Sequence, residues 1–276
     1  MGKFCAKEPP LMSKPLAPLI DSHLHIWTKD MPLTDTAWHA PPDAPLEQCL
    51  QQLDENGVMF AVIAGASIHG QYADYTRRAL KQHRRLRATA VLSPRTDIRQ
   101  MEQMKQEGFV GVRLMRSMHG DVPELDGDYR MYLRRVADLD WHVHLVDLPE
   151  RTAQSIAVIE ASGAKLVIDH MGHLEAEDGI NNPGFKAILA AIERGNTWVK
   201  ISGRFRFDPP CSADKYAKAL LSVAGTERLL WGSDWPFAGF ENSVTYRDTL
   251  EEFHHYVDDA KMRHEIDQTG LKLYFG

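Results

Sequence analysis

Eight short apolar runs rich in Val, Ile and Leu recur along the chain, and an amphipathic stretch follows each of them. This alternation predicts β-strands that alternate with α-helices, as in a parallel sheet. The predicted strands are Leu19–Ile26, Val58–Ala64, Arg87–Leu92, Val110–Leu114, His142–Val146, Lys165–Ile168, Thr197–Ile201 and Arg228–Trp231. The predicted helices are Leu46–Glu55, Ala73–His83, Ile98–Glu107, Tyr129–Leu139, Arg151–Ala161, Phe185–Arg194, Lys215–Val223 and Tyr246–Val257.

Eight strand–helix units match an α/β fold in which the parallel sheet closes into a single-domain (β/α)8 TIM barrel. The chain has 276 residues, and such barrels reach about 250 residues as one domain. The alternative is an open doubly wound sheet, whose dinucleotide-binding form carries GxGxxG after a strand; the sequence contains no such motif. We therefore predict a barrel over residues 19–276, an N-terminal arm over residues 1–18, and a terminal tail after Leu271.

Charge and composition exclude several classes of partner. Lys and Arg total 32 against 38 Asp and Glu, which gives a formal net charge of −6 and argues against nucleic acid. No stretch approaches the ~18 apolar residues of a membrane helix. Cys5, Cys49 and Cys211 lie far apart and form no CxxC pattern, and no secretory signal is visible. We expect a cytoplasmic protein with no membrane partner and no disulfide framework.

Polar residues cluster where the predicted strands end, which is where a barrel of this kind has its active site. His23 and His25 alternate on the first strand, so both side chains face the same side of the sheet. His170 and Asp234 end the sixth and eighth strands. One shared site explains all four residues better than the alternatives, which are a hydrogen-bonded core histidine at position 170 and a helix N-cap at position 234.

Three imidazoles and one carboxylate can act in two ways. They can ligate zinc through nitrogen and oxygen. They can also act without metal, if the imidazoles hold a carbonyl while Asp234 activates water. Asp234 lies between two tryptophans, Trp231 and Trp235, and the resulting desolvation would tune a general base. Residue spacing does not decide between the two.

Five motifs, in their order and spacing, resemble the amidohydrolase-related proteins of the amidohydrolase superfamily. The likeness extends over residues 19–275 and is strongest to the 2-pyrone-4,6-dicarboxylate hydrolases (lactonases) and the related sugar lactonases. The motifs are Ile-Asp-Ser-His-Leu-His, Gly-Val-Arg-Leu, Leu-Val-Ile-Asp-His-Met-Gly, Val-Lys-Ile-Ser-Gly and Leu-Trp-Gly-Ser-Asp-Trp-Pro. The resemblance implies a distorted (β/α)8 barrel that hydrolyses a carboxylated lactone in the catabolism of aromatic or sugar acids.

The resemblance also assigns roles. It implies that Asp234 is the general base, that His23, His25 and His170 polarise the lactone carbonyl, and that no metal is required. The residues implied in binding the anionic substrate are Arg113 and Arg206, the more loosely matched Arg116, and Ser67, His69 and His173. His173 departs from the family pattern, in which an arginine usually follows Asp-His-Met-Gly.

Two other functions remain open. One is a zinc-dependent hydrolase of the same superfamily, or a nonoxidative decarboxylase of an aromatic or muconate-type acid. It would hold one zinc or another divalent metal on His23, His25, His170 and Asp234. The other is a binding protein on an inactive barrel, although every expected reactive position is filled. The loop Thr28–Ala44, with Trp38, is predicted to form a lid with an aromatic wall. The choice of lactone and the oligomeric state are left open.

Overall fold

The computed structural model describes residues 17–116, 124–173 and 178–276. Eight parallel strands form one sheet in which each strand pairs with its neighbours in chain order. They are β1 (Ile20–Leu24), β2 (Phe60–Ile63), β3 (Leu86–Ala90), β4 (Phe109–Met115), β5 (His142–Val146), β6 (Lys165–Ile168), β7 (Thr197–Lys200) and β8 (Leu229–Leu230). The predicted (β/α)8 barrel is confirmed.

Helices follow the strands and cover the outside of the barrel. They are α1 (Leu46–Glu55), α2 (Asp74–Gln82), α3 (Ile98–Glu107), α4 (Asp128–Asp138), α5 (Pro149–Ser162), α6 (Pro183–Glu193), α7 (Ala213–Ala224), α8 (Tyr246–Tyr256) and α9 (Ala260–Phe275). Helix α1 has the amphipathic pattern from which it was predicted, because its buried residues Leu46, Cys49 and Leu53 lie on one face.

The barrel is distorted at the seam between β8 and β1, where β8 is only two residues long. The backbone N–H of Ser22 donates to the carbonyl of Trp231 at 2.9 Å, and that of Asp234 donates to the carbonyl of His23 at 2.7 Å. A Cβ at position 232 would lie 2.6 Å from the Cβ of His23. Gly232 therefore lets the two chain segments that carry His23 and Asp234 approach each other.

Helix α9 replaces the predicted terminal tail, so that prediction was wrong. Asp259 accepts a hydrogen bond from the N–H of Lys261 and so caps the helix at its start. The helix buries Ile266, Gly270 and Tyr274. The Tyr274 ring lies 5.2 Å from that of His142, the first residue of β5. The helix thus packs on the end of the barrel where the strands begin, opposite the strand ends.

The predicted arm at residues 1–18 stays a prediction, because residues 1–16 lie outside the described part. Cys49 is a buried free thiol and Cys211 an exposed one. Over the described ranges, no helix has both the length and the apolar character needed to cross a membrane.

Candidate active site

A cleft opens at the carboxyl ends of the strands, the end at which the sequence predicted a site. Seven of the eight strands contribute side chains to it, either from the strand itself, as in β4 and β5, or from the segment that follows the strand. These residues are His25, Trp27, Trp38, Ala66, Ser67, Ile68, Arg113, Met115, Val146, His170, His173, Arg206, Asp234 and Ala238.

Asp234 lies at the centre of the predicted histidine cluster. Its Oδ1 is 3.4 Å from Nε2 of His25 and 3.6 Å from Nε2 of His23, and its Oδ2 is 3.6 Å from Nε2 of His170. All four side chains are buried. The structure brings together the four residues that the sequence grouped.

The backbone at two of these residues is in the left-handed region, with φ of 49° at His170 and 62° at Asp234. Such geometry in a non-glycine residue costs free energy and is common in functional sites. Asp234 does not cap the next helix, because Thr245 caps α8. The alternative interpretation of Asp234 as a helix cap therefore does not apply.

Burial keeps the three imidazoles neutral. Desolvation lowers the pKa of His170 to about 3. It also lowers the pKa of His25, and it lowers the pKa of His23 well below its usual value. A neutral imidazole has one donor and one acceptor nitrogen, and the partner of one nitrogen fixes the role of the other.

The partners on the far side of each ring differ. Nδ1–H of His25 donates to the carbonyl of Ala64 at 2.8 Å, which leaves Nε2 as an acceptor. Nδ1 of His170 is 3.0 Å from the hydroxyl of Ser202, which can donate or accept. Nδ1 of His23 is 2.8 Å from Nζ of Lys200. Among the described residues, neither Nε2 of His23 nor Oδ1 of Asp234 has a hydrogen-bond partner.

Arg206 pairs with the candidate base. Its Nε donates to Oδ2 of Asp234 at 2.6 Å. Burial acts to raise the pKa of Asp234, but the positive charge of Arg206 is the largest opposing influence, and the pKa is held well below its usual value. The guanidinium also lies over the ring of Phe205, 5.0 Å from its centroid.

Arg113 is held by a carboxylate below the cleft. Its Nε donates to Oδ2 of Asp169 at 2.9 Å, and its Nη1 donates to the carbonyl of Gly65 at 3.1 Å. The same carboxylate is 2.9 Å from Nζ of Lys200. The sequence reasoning assigned no role to Asp169 or Lys200. The available signal was a lysine inside the apolar strand Thr197–Ile201, because a buried lysine requires a partner.

Of the other four residues predicted to bind the substrate, two line the cleft and two lie outside its lining. Ser67 and His173 line the cleft, whereas Arg116 and His69 do not line it in the described part of the chain. Arg116 donates through Nε to Oδ2 of Asp147 at 2.9 Å. Nδ1–H of His69 donates to the carbonyl of Pro32 at 2.8 Å, so His69 supports the loop that follows β1. Their roles in substrate binding stay predictions.

The loop Thr28–Ala44 lies over the cleft, and Trp38 is part of the cleft wall. Nε2 of His39 lies 2.5 Å from Oε1 of Glu241 in the loop that follows β8. On the other side, the N–H of Thr34 donates to the carbonyl of Ile68 at 2.8 Å. The loop is thus fastened to both neighbouring segments, and it supplies the aromatic wall that the sequence predicted.

The family profile described as "Amidohydrolase" matches residues 20–267. The chain belongs to the amidohydrolase family. This amidohydrolase is 28% identical over 264 residues to the 4-sulfomuconolactone hydrolase of Hydrogenophaga intermedia, and the match covers 92% of this chain and 81% of the relative. It is 24% identical over 280 residues to the 2-pyrone-4,6-dicarboxylate hydrolase of Comamonas testosteroni, with 93% and 90% covered.

Among solved structures, the amidohydrolase resembles a probable 2-pyrone-4,6-dicarboxylic acid hydrolase from Acinetobacter baumannii with citric acid bound. The TM-score is 0.88 at 27% identity, and the match covers 94% of this chain and 100% of that chain. The predicted resemblance to this branch of the superfamily is confirmed.

The amidohydrolase also has a group of side chains that can hold a metal ion. One ligand atom each from His23, His170 and Asp234 lies within 4.8 Å of the others. Their types suit zinc. A histidine that ligates a metal donates its other N–H to a carboxylate, a carbonyl or water. His25, outside this group of three, has such a partner in Ala64, whereas Nδ1 of His170 lies next to the hydroxyl of Ser202. Nδ1 of His23 lies 2.8 Å from the ammonium of Lys200 and 3.3 Å from Oδ1 of Asp169, but it makes no hydrogen bond to that oxygen. His23 therefore fits a metal site in type and position but not in its hydrogen bonding.

Proposed function

We propose that this amidohydrolase hydrolyses a lactone that carries carboxylate groups, with Asp234 as general base and without a required metal. The observation that carries this proposal is the buried carboxylate of Asp234 within 3.6 Å of three imidazoles. The names of two relatives, both lactone hydrolases, support the same reaction class.

Asp234 and His25 can orient the attacking water. Oδ1 of Asp234 and Nε2 of His25 are both acceptors and lie 3.4 Å apart. One water molecule can therefore donate a hydrogen bond to each of them. Asp234 takes a proton as the water oxygen attacks the lactone carbonyl. This gives His25 a different role from the one that the resemblance implied, because its bond to Ala64 leaves no proton on Nε2.

His23 and His170 are assigned to the carbonyl oxygen of the lactone. Nε2 of His23 can donate a hydrogen bond to a substrate oxygen, and Nε2 of His170 lies 3.6 Å from Oδ2 of Asp234. Donors aimed at the position of a developing oxyanion stabilise the transition state. Collapse of the tetrahedral intermediate breaks the ring C–O bond, and the proton on Asp234 passes to the leaving oxygen. The product is an open-chain acid.

Arg113 and Arg206 are the cleft residues that favour an anionic substrate. Both arginines line the cleft, and a guanidinium matches a carboxylate with two parallel hydrogen bonds. In the structure, the positive charge of Arg206 pairs with Asp234. A substrate carboxylate that binds Arg206 would compete with Asp234 for that charge. Recognition of the substrate would thereby strengthen the base at the moment it is needed.

A lactone panel tests the proposal. The panel contains 2-pyrone-4,6-dicarboxylate, sugar-acid lactones, and uncharged lactones of the same ring size, and hydrolysis is followed by proton release. We expect turnover of at least one carboxylated lactone and a much lower kcat/KM for its uncharged counterpart. Equal values for the charged and uncharged lactones, or no turnover of any lactone, would contradict the proposal.

A second candidate is a metal-dependent decarboxylase, and the group His23, His170 and Asp234 is the observation that favours it. The two reactions differ in product, because lactone hydrolysis releases an acid and decarboxylation releases carbon dioxide. Aromatic and muconate-type acids belong in the same panel with zinc added. Carbon dioxide release without lactone turnover would favour this second candidate.

A further inference from the structure

Lys200 lies at the floor of the site, outside the set of residues that the proposed chemistry uses. It is the last residue of β7 and is fully buried. Its Nζ is 2.9 Å from Oδ1 of Asp169, 2.8 Å from Nδ1 of His23 and 3.1 Å from Nδ1 of His144. One ammonium group is therefore surrounded by one carboxylate and two imidazole nitrogens.

Two groups lie next to Nδ1 of His23, the ammonium of Lys200 at 2.8 Å and Oδ1 of Asp169 at 3.3 Å. That oxygen accepts no hydrogen bond from His23, so the contact with Lys200 determines where the proton of His23 lies. A lysine ammonium has three donors and no acceptor, so the nitrogen 2.8 Å away must accept. A neutral imidazole that accepts at Nδ1 carries its proton on Nε2. That atom faces Asp234 and has no partner among the residues that the structure describes.

The consequence for a metal is direct. A histidine binds a metal through a lone pair, and the proton on Nε2 of His23 occupies the position of that lone pair. His25 shows the opposite arrangement in the same site, because Ala64 holds its proton on Nδ1. The positive charges of Lys200 and Arg113, both close to Asp169, add an electrostatic cost for a dication.

We propose that Lys200 is a positioning residue that holds His23 in the Nε2–H tautomer. It thereby makes His23 a hydrogen-bond donor to a substrate oxygen and disfavours His23 as a metal ligand. Only the identity of that oxygen, the lactone carbonyl, rests on the proposed function.

The wild-type protein gives the first test, without substrate and without added metal. Two-bond 1H–15N correlation spectra of protein labelled with 15N-histidine distinguish the two tautomers, and loss of one signal in His23→Gln assigns His23. We expect the proton on Nε2. A proton on Nδ1 would overturn the proposal. This result is independent of lactone turnover, so a failed lactone panel with Nε2 protonated would refute the proposed function alone.

A Lys200→Met variant gives the second test. Without the ammonium, Nδ1 of His23 can carry the proton and Nε2 is released for metal. We expect zinc, titrated by calorimetry, to bind this variant at least tenfold more tightly than wild type, with the His23 signal shifted toward the other tautomer. Lys165→Met is the matched control, because Lys165 begins the neighbouring strand β6 and pairs with Asp140.

Equal zinc affinity in Lys200→Met and wild type would overturn the assignment of this role to Lys200. If Lys200→Met does not fold, because Asp169 keeps only Arg113 of its two cationic partners, the wild-type spectrum decides the question.

Discussion

Nε of Arg206 lies 2.6 Å from Oδ2 of Asp234, and Asp234 is almost completely buried. The carboxylate that we propose as general base is therefore paired with the arginine that we propose as an anion receptor. The same contact serves two purposes, since it orients the carboxylate and makes its basicity depend on what else Arg206 binds.

The first prediction concerns the pH dependence of Arg206→Met. A base must be deprotonated to act, and Arg206 holds the pKa of Asp234 well below its usual value against the effect of burial. The acidic limb of kcat/KM in wild type should therefore lie at very low pH. Removal of the guanidinium should raise that pKa and move the limb to higher pH by roughly 1–3 units.

The measurement is kcat/KM against pH on the best carboxylated lactone. Arg204→Met is the matched control, because Arg204 belongs to the same turn and pairs instead with Asp214. An acidic limb at the same pH in wild type and Arg206→Met would mean that Arg206 does not control the base.

The second prediction concerns Asp234→Asn. The asparagine is nearly isosteric and cannot take a proton from water, so kcat should fall by ~10²-fold or more. The melting temperature should show that the barrel survives. Turnover close to that of wild type would remove Asp234 from the role of general base.

The third prediction concerns the aromatic wall of the cleft. Trp38 lines the cleft and stacks on His39, with ring centroids 5.1 Å apart. Trp38→Ala should raise KM about 5–30-fold, corresponding to ~1–2 kcal/mol, with kcat changed less than about twofold. Leu33→Ala is the control, because Leu33 is an exposed residue of the same loop that does not line the cleft. Equal effects of both substitutions would refute the assignment.

The fourth prediction concerns stability and a carboxyl group on α8. Burial raises the pKa of Glu252 from its ordinary value of 4.5 to about 7. Between these two pH values the folded protein therefore binds more protons than the unfolded chain, and stability falls as pH rises through this window. Glu252→Gln imitates the neutral acid. It should raise Tm at pH 8 by about 2–4 °C, which corresponds to a gain of ~1 kcal/mol in the free energy of unfolding.

At about pH 4.5 the gain in Glu252→Gln should disappear. Glu251→Gln is the control, since Glu251 is an exposed neighbour paired with Arg247. A Tm difference between Glu252→Gln and wild type that is the same at both pH values would show that the ionisation of Glu252 is not responsible.

Much of the fold was predictable because buried parallel strands carry few polar residues. The strands His142–Val146 and Lys165–Ile168 have the predicted bounds. Helix α9 was missed because its buried residues, Ile266, Gly270 and Tyr274 among them, are interleaved with many polar ones. Its packing depends on the completed barrel end, which local sequence does not describe.

The candidate site was predictable in position but not in pairing. Because His23, His170 and Asp234 lie at the predicted strand ends, the sequence predicts that they share one site. The sequence does not show which carboxylate each arginine pairs with. Arg116, predicted to bind the substrate, contacts Asp147 in the structure, and its role in substrate binding stays a prediction. Lys200 contacts His23 although the two residues are 177 positions apart in the chain. Such contacts depend on barrel register, which fixes which inward side chains meet at the same level.

The role of Asp234 as a metal-independent base is tested most directly by the metal requirement of lactone hydrolysis. The protein is treated with a chelator, freed of metal as confirmed by elemental analysis, and assayed for kcat/KM on the best carboxylated lactone. We predict full activity without metal, because Asp234 activates water and neutral imidazoles bind the carbonyl and the water. Loss of activity that returns with one equivalent of zinc would contradict this role of Asp234 and favour a metal-dependent hydrolase or decarboxylase.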